Sequence, residues 1–539
     1  MPRTYFSLFL FCLIGFSLLA TGLSGCTREE KKRARSTVRL NFCRSIESLD
    51  SRRTNDEVSA NLINMTHEGL LRINLKGDPE PAIAERYTIS SDGCTYTFYL
   101  RKSNWSDGAP LTAHDFAYAI KSALAPDFVT SIKAKYFPIR GAEAAALGKG
   151  PVDAVGIYAL DDQTLRFELA RPTPYFLELV SSWNYFPVRK NLDEKSASWS
   201  TDISSHAFNG PFMIESYLPG NRISLVKNPS YWDAHNVALE AIEISELGDS
   251  HTELELFEQG DLDWAGQPLS TGLPIESLEP LRKSGKLKTA PTSKTYFYCL
   301  NALSPPFTHT KMRRAFSLAV NRSEIVEHIA GGGNAPALGF VPPVYSAAGA
   351  DLFIDRAVQQ ARTLFEEALG EMGLDRSTLG PIRISVYPSP VQEKVVQTVA
   401  RQWEEAFDIK VIIEKSDWSA HLTKLTQKDF QVLCINWYAD VPDASTFLAA
   451  FDAEQDNLTG WEDERYSQLV RSVATELDTD KRTELIARAE KYLIEAMPAI
   501  PLYYNGPSYL INDRLRDVGV SELGLIEFRW ASFKPEADL

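Results

Sequence analysis

Between Ile382 and Trp437 the hydrophobic residues change period four times, and this alternation constrains the fold more than any other stretch of the chain. Ile382 to Tyr387 reads as a strand. Val391, Val395, Val399, Trp403 and Phe407 then recur at helical spacing. Ile409 to Ile413 is strand-like again, Trp418, Leu422 and Leu425 predict a short helix, and Phe430 to Trp437 a third strand. A βαβαβ order requires parallel strands and places helices on the faces of a sheet, so this part of the chain is α/β. Ligands of such sheets bind beyond the carboxyl ends of the strands. Trp437, Tyr438, Ala439 and Asp440 stand at that end.

The rest of the chain is larger than one core. At 539 residues it predicts two or three domains. A compact region begins at Val38, where Val38-Arg39-Leu40-Asn41-Phe42 alternates, and Thr95–Leu100 and Leu165–Leu169 repeat that pattern. Asn104 to Gly108 reads as a turn. Thr112 predicts the cap of a helix carrying Phe116, Ile120 and Leu124, and Thr252 the cap of another that stops at Gly260. Gly331-Gly332-Gly333 reads as a flexible turn.

The amino terminus reads as an address. Arg3 precedes an apolar run from Tyr5 to Leu19, too short to span a bilayer. Leu23-Ser24-Gly25-Cys26 follows and resembles the bacterial lipoprotein signal, which implies cleavage before Cys26 and lipid on its thiol. Residues 1–25 are then a signal peptide and 26–37 a basic tether next to the membrane. Cys43, Cys94, Cys299 and Cys434 remain, without metal-site spacing; sequence leaves open whether they are bridged or free.

Charge and missing motifs exclude several functions. The formal net charge of -15 argues against nucleic acid as the main partner. There is no GxSxG elbow, Walker loop or GxGxxG, and the eight His show no HExxH or HxH spacing. No enzyme, metal site or cofactor is expected.

Eight stretches carry a resemblance, in order along the chain: Ile46–Asp50, Glu68–Leu70, Trp105–Gly108 with Thr112–Phe116, Asn209–Phe212, Asn228–Trp232, Phe257–Asp263, Arg314–Arg322 and Ile500–Tyr504. Together they resemble the solute-binding proteins of peptide and nickel ABC importers, and within that family the oligopeptide binders. The resemblance implies a two-lobed α/β fold with a ligand cleft that closes by hinge rotation, crossed near Thr292 and Asn505. Lobe I would comprise 38–66, 205–293 and 506–539, an inserted subdomain 67–204, and lobe II 294–505. It also implies a monomeric, periplasmic, lipid-anchored receptor that passes short peptides to a permease and ATPase in the inner membrane. The alternative is the same fold with another solute: a nickel chelate, haem, a dipeptide, a muropeptide or an oligosaccharide. A lipoprotein hydrolase and a structural lipoprotein are less favoured classes.

The same resemblance assigns Asp440 to the peptide ammonium, which needs a fixed carboxylate when buried. It gives Trp437 and Trp418 to side-chain pockets, and Tyr438, beside Trp437, is a further candidate ligand-binding residue. Of Tyr503 and Tyr504, one is expected to face ligand and the other the core. One departure stands out. The basic residues with which oligopeptide binders hold the ligand's carboxyl end are replaced by Cys434 and Leu425, with Lys424 and Lys428 nearby as substitutes.

Overall fold

The computed structural model describes residues 36–196, 199–201, 206–290, 293–347, 352–439 and 441–534. Cys26, Thr292 and Asp440 lie outside the described residues.

Two lobes are built around separate sheets. In the first, Thr37–Phe42, Ala241–Glu246, Arg222–Lys227 and Phe212–Leu218 lie side by side in that order. Thr37–Phe42 runs parallel to Ala241–Glu246; the other pairs are antiparallel. Val38, Leu40 and Phe42 are buried with Ile242 and Ile244, the face the alternation predicts. A second antiparallel sheet joins Ala84–Ile89, Thr95–Leu100, Thr164–Glu168 and Ile157–Asp161. The helix Ala113–Ala123 covers it with Phe116 and Ile120. Asp115 accepts the backbone N–H of Thr112 at 2.8 Å, closing the amino-terminal turn.

The other lobe holds a six-stranded sheet in the order Ala335–Pro336, Ala499–Tyr504, Lys294–Leu300, Val432–Tyr438, Ile382–Val386 and Val411–Lys415. Ile382–Val386 is parallel to both Val411–Lys415 and Val432–Tyr438, so the βαβαβ reading holds. The second and third of these strands start later than the apolar runs suggest. The helix Pro390–Phe407 ends on Asp408 and the helix Trp418–Gln427 on Lys428, both left-handed (φ 54° and 58°), and each exit consumes residues before pairing resumes.

Two expectations are corrected. The helix Ser250–Gln259 is capped by Asp249 and not Thr252: the Asp249 carboxylate accepts the Thr252 N–H at 2.8 Å, and a carboxylate favours a helix amino terminus more than a hydroxyl. Gly331–Gly333 is no free turn. It packs on the segment that crosses between lobes, and a Cβ on Gly333 would stand 2.7 Å from the Gly506 carbonyl oxygen.

Chain passes between the lobes in two adjacent places. Lys288–Thr289 pairs with Ser508–Ile511 on one side, and Lys294–Leu300 with Ala499–Tyr504 on the other. Between them Asn505 N–H donates to the Lys294 carbonyl (3.0 Å) and Ala290 N–H to the Pro507 carbonyl (3.3 Å). The chain's end returns to the first lobe. Asn61 donates to the Gly524 carbonyl (3.1 Å) and accepts the Ile526 N–H (2.8 Å), and the Asn64 side-chain amide donates to Glu527 (2.6 Å).

Candidate functional site

The strand Val432–Tyr438 delivers alternate side chains to opposite faces of its sheet. Cys434, Asn436 and Tyr438 share the face of Lys294, Tyr296 and Tyr298, which pair with them across the ladder. Trp437 points the other way. Its indole N–H donates to the Thr446 carbonyl at 3.0 Å, and its ring lines a cleft of about 840 Å³. The far wall of that cleft comes from Lys135, Arg171 and Tyr175 beside the second antiparallel sheet. Val441 crosses to pack against that sheet's core. A smaller cavity of about 220 Å³ borders Pro442 and is lined by Arg72, Glu178 and Glu522. Burial raises both of these carboxyls above their usual range. Two cavities therefore meet the segment that follows Asp440 in sequence.

On the other face, Trp418 is 51% exposed, with the Tyr387 ring edge-on at 5.1 Å and His421 stacked at 6.0 Å. Tyr438 is equally exposed, and the Lys294 ammonium sits 4.8 Å over its ring. Lys294 also pairs with Glu57, at the start of the helix Glu57–Thr66 in the first lobe, at 2.5 Å. This ion pair spans the two lobes. His421 donates from Nε2 to the Cys434 carbonyl at 2.7 Å, and burial holds its imidazole below the usual range, hence neutral.

The structure separates the tyrosines expected at the cleft from the exposed rings. Tyr503 and Tyr504 are both buried. The Tyr503 ring stacks on Tyr296 at 4.9 Å and its hydroxyl accepts from Gln392 at 3.0 Å, while the Tyr504 hydroxyl donates to the Gly339 carbonyl at 3.1 Å. Neither presents a face to solvent, because both lie inside a six-stranded sheet covered on its two sides. Trp418 and Tyr438 come together with Tyr387, Asn436, His421 and Lys294, which sequence reasoning did not select. Tyr387 directly follows the first strand of the βαβαβ unit, so the carboxyl-end rule contains the signal for it.

His67 and His206, distant in sequence, meet with their Nε2 atoms 3.1 Å apart. Burial holds both below the usual range, His206 at about 4. Among the described residues no group of three or more His, Cys, Asp or Glu is placed to hold a metal ion, and Cys43, Cys94, Cys299 and Cys434 are free thiols. No helix among them is long and apolar enough to cross a membrane.

Comparison with known proteins gives a consistent result. The sequence profile of the bacterial extracellular solute-binding proteins, family 5, matches residues 78–458. The chain is 35% identical over 538 residues to the oligopeptide-binding protein OppA of Bacillus subtilis, covering 98% of each. Its structure matches the substrate-binding domain of an oligopeptide ABC transporter from Bacillus anthracis with a TM-score of 0.73 and 28% identity, over 93% of this chain and 99% of that one. It matches the murein tripeptide-binding protein MppA in its unliganded open form with a TM-score of 0.82, over 94% and 98% of the two chains; at 24% identity this speaks to fold alone.

Proposed function

The chain belongs to family 5 of the bacterial extracellular solute-binding proteins, and from that membership we propose that it is a receptor for short peptides that serves an ABC importer. The observation that carries the reading is the 35% identity to an oligopeptide-binding protein over nearly the whole of both chains. The cleft supports it: about 840 Å³ is room for several residues of peptide, with an aromatic wall beside it that tolerates many side chains.

In this reading Asp440 takes the ligand's ammonium group, and Trp437, Trp418 and Tyr438 contact its side chains. Residues 38–66, 205–293 and 506–539 form one lobe, 67–204 its inserted subdomain and 294–505 the other lobe. Ligand is bound and released without turnover. Cys26 carries the lipid that keeps the monomeric receptor near its permease.

The test is native mass spectrometry of the chain from Thr27 onward, stripped of ligand and offered a library of three- to five-residue peptides. Peptide adducts that weaken in Asp440→Ala support both receptor and anchor. Adducts untouched by the substitution discard the anchor. No adduct with any peptide discards the peptide reading.

A further inference from the structure

The wall that faces Trp437 across the larger cleft is built on a stiff link. Pro172 and Pro174 fix the backbone between the strand Thr164–Glu168 and the helix Phe176–Ser181. The Ala170 N–H donates to the Pro138 carbonyl at 2.8 Å, and the Thr173 hydroxyl to the Arg171 carbonyl at 3.2 Å. Arg171 and Tyr175 of this link both line the cleft. Arg171 is exposed, and among the described residues no carboxylate pairs with it. The charges acting on the Tyr175 hydroxyl are Asp443, Arg171 and Arg482. Asp443 and Arg482 hold each other at 2.7 Å, which leaves Arg171 as the uncompensated charge of that neighbourhood.

The other charged groups lining the cleft have occupations of their own. Lys135, in the same wall, donates to the Asn184 side-chain oxygen at 3.1 Å and lies 5.1 Å over the Trp183 ring. Arg471 is held by Glu454 at 2.5 Å and by Glu464 at 2.8 Å. Asp452 accepts the Ser467 hydroxyl at 2.5 Å and the Gln455 amide at 3.1 Å. Asp456 acts on the Lys428 ammonium, and Glu143 stands in the first turn of the helix Ala142–Ala146, where a carboxylate is favoured. A ligand that fills the cleft takes water from the Arg171 guanidinium. A neutral group would leave that charge buried and unpaired, and a basic one would add repulsion. A carboxylate accepts two parallel N–H bonds from the planar guanidinium and compensates for the lost water. The Tyr175 hydroxyl supplies a further donor on the same wall.

We propose that Arg171, with the Tyr175 hydroxyl near it, makes the Trp437-lined cleft a carboxylate subsite, so that the receptor prefers peptides that place an acidic group there. The carboxylate comes from an acidic side chain or from the ligand's own terminus. This deepens the peptide reading above and rests on it.

Isothermal titration of the chain from Thr27 onward tests it with a tetra-alanine host. Glu is compared with Gln at each position of the carboxyl-terminal amide, and the unsubstituted acid with its amide. In at least one comparison the carboxylate should bind about tenfold or more tightly, and in Arg171→Gln that difference should fall to about threefold or less. A preference between Glu and Gln assigns the carboxylate to a side chain, and one between acid and amide to the terminus. The unsubstituted amide should bind the wild type and Arg171→Gln within about threefold, which also shows the variant to be folded. Arg171→Lys keeps the charge without the fork and should retain more of the preference than Arg171→Gln; equality of the two would overturn a subsite built on charge. No preference in any comparison, or one that survives Arg171→Gln undiminished, would overturn the inference and leave the peptide reading intact. Equal weakening of the unsubstituted amide would make Arg171 a general contact and overturn it as well. Binding of no ligand would overturn the peptide reading and this inference together.

Discussion

Gly333 and Gly506 meet backbone to backbone: a side chain on either would run into the carbonyl of the other, and the Gly506 N–H points at the Asn334 side-chain oxygen, 3.3 Å away. The contact lies beside both crossings between lobes. Gly506→Ala should therefore cost about 1–3 kcal/mol, the usual penalty for overpacking. Gly370→Ala, in the helix Val358–Met372 with open space around it, should instead stabilise by about 0.5–1 kcal/mol. Urea unfolding of the two variants checks the contrast; equal effects would mean that the glycine contact is loose.

Among the described residues Glu490 has no cation beside it. Its carboxylate accepts the Val341 N–H at 3.0 Å and the Ser346 hydroxyl at 2.7 Å, and burial pushes it up from 4.5 to about 7. The folded chain therefore keeps a proton that the unfolded chain has released between those values. Stability from this group is full below pH 4.5, falls as pH rises towards 7, and is level above it. Glu490→Gln should flatten that part of the profile, because the amide keeps the Val341 bond and never ionises. Unfolding midpoints across about pH 4 to 8 decide it; a variant with the wild-type slope would reassign the titration.

Glu68 is fully buried and receives the Tyr231 hydroxyl at 2.6 Å, the Trp232 indole N–H at 2.5 Å and the Arg529 guanidinium. Glu68→Ala would strand those donors and should cost roughly 3–5 kcal/mol. Tyr231→Phe removes one bond of the set and should cost about 1 kcal/mol. Chemical denaturation should rank the two in that order.

Substitutions at Trp418 and Tyr503 test whether binding and folding can be separated. Trp418→Ala removes a half-exposed ring, so stability should stay within about 0.5 kcal/mol while peptide affinity falls. Tyr503→Phe removes the hydroxyl that bonds Gln392 and should cost about 0.5–1.5 kcal/mol with affinity unchanged. Titration calorimetry with thermal unfolding of both would expose an exchange of these roles.

The parts of the fold legible in sequence were those with a period. The βαβαβ unit and the half-buried strands could be read because side-chain alternation follows directly from burial. The motifs that carry the family resemblance say less about ligand than about assembly. Glu68 joins Tyr231 and Trp232, Asn209 exchanges bonds with the Glu68 backbone at 2.8 and 3.2 Å, Arg39 reaches Asp263 at 2.9 Å, and Arg322 donates to the Pro501 carbonyl at 2.6 Å. Each bond ties one motif to another or to an edge strand, hundreds of residues apart in some cases, which no local pattern encodes. The Lys294–Glu57 pair and the meeting of His67 with His206 were illegible for the same reason. Tyr503 and Tyr504 look alike in sequence, and only the sheet on either side of them decides that both are core.

The bonds from Asn61 and Asn64 to residues 524–527 fix an order of assembly. The six-stranded sheet has all its strands once Tyr504 has emerged, whereas the lobe begun at Thr37 lacks its closing segment until residues 524–527 are made. The half synthesised first is thus the half completed last. A chain crossing a membrane in the direction of synthesis spends most of that passage with the face of the helix Glu57–Thr66 uncovered, and residues 524–527 fasten the first lobe after the other has all its strands. A ribosome-stalled chain ending after Tyr504 would hold a protease-resistant later lobe beside an earlier one still open to cleavage.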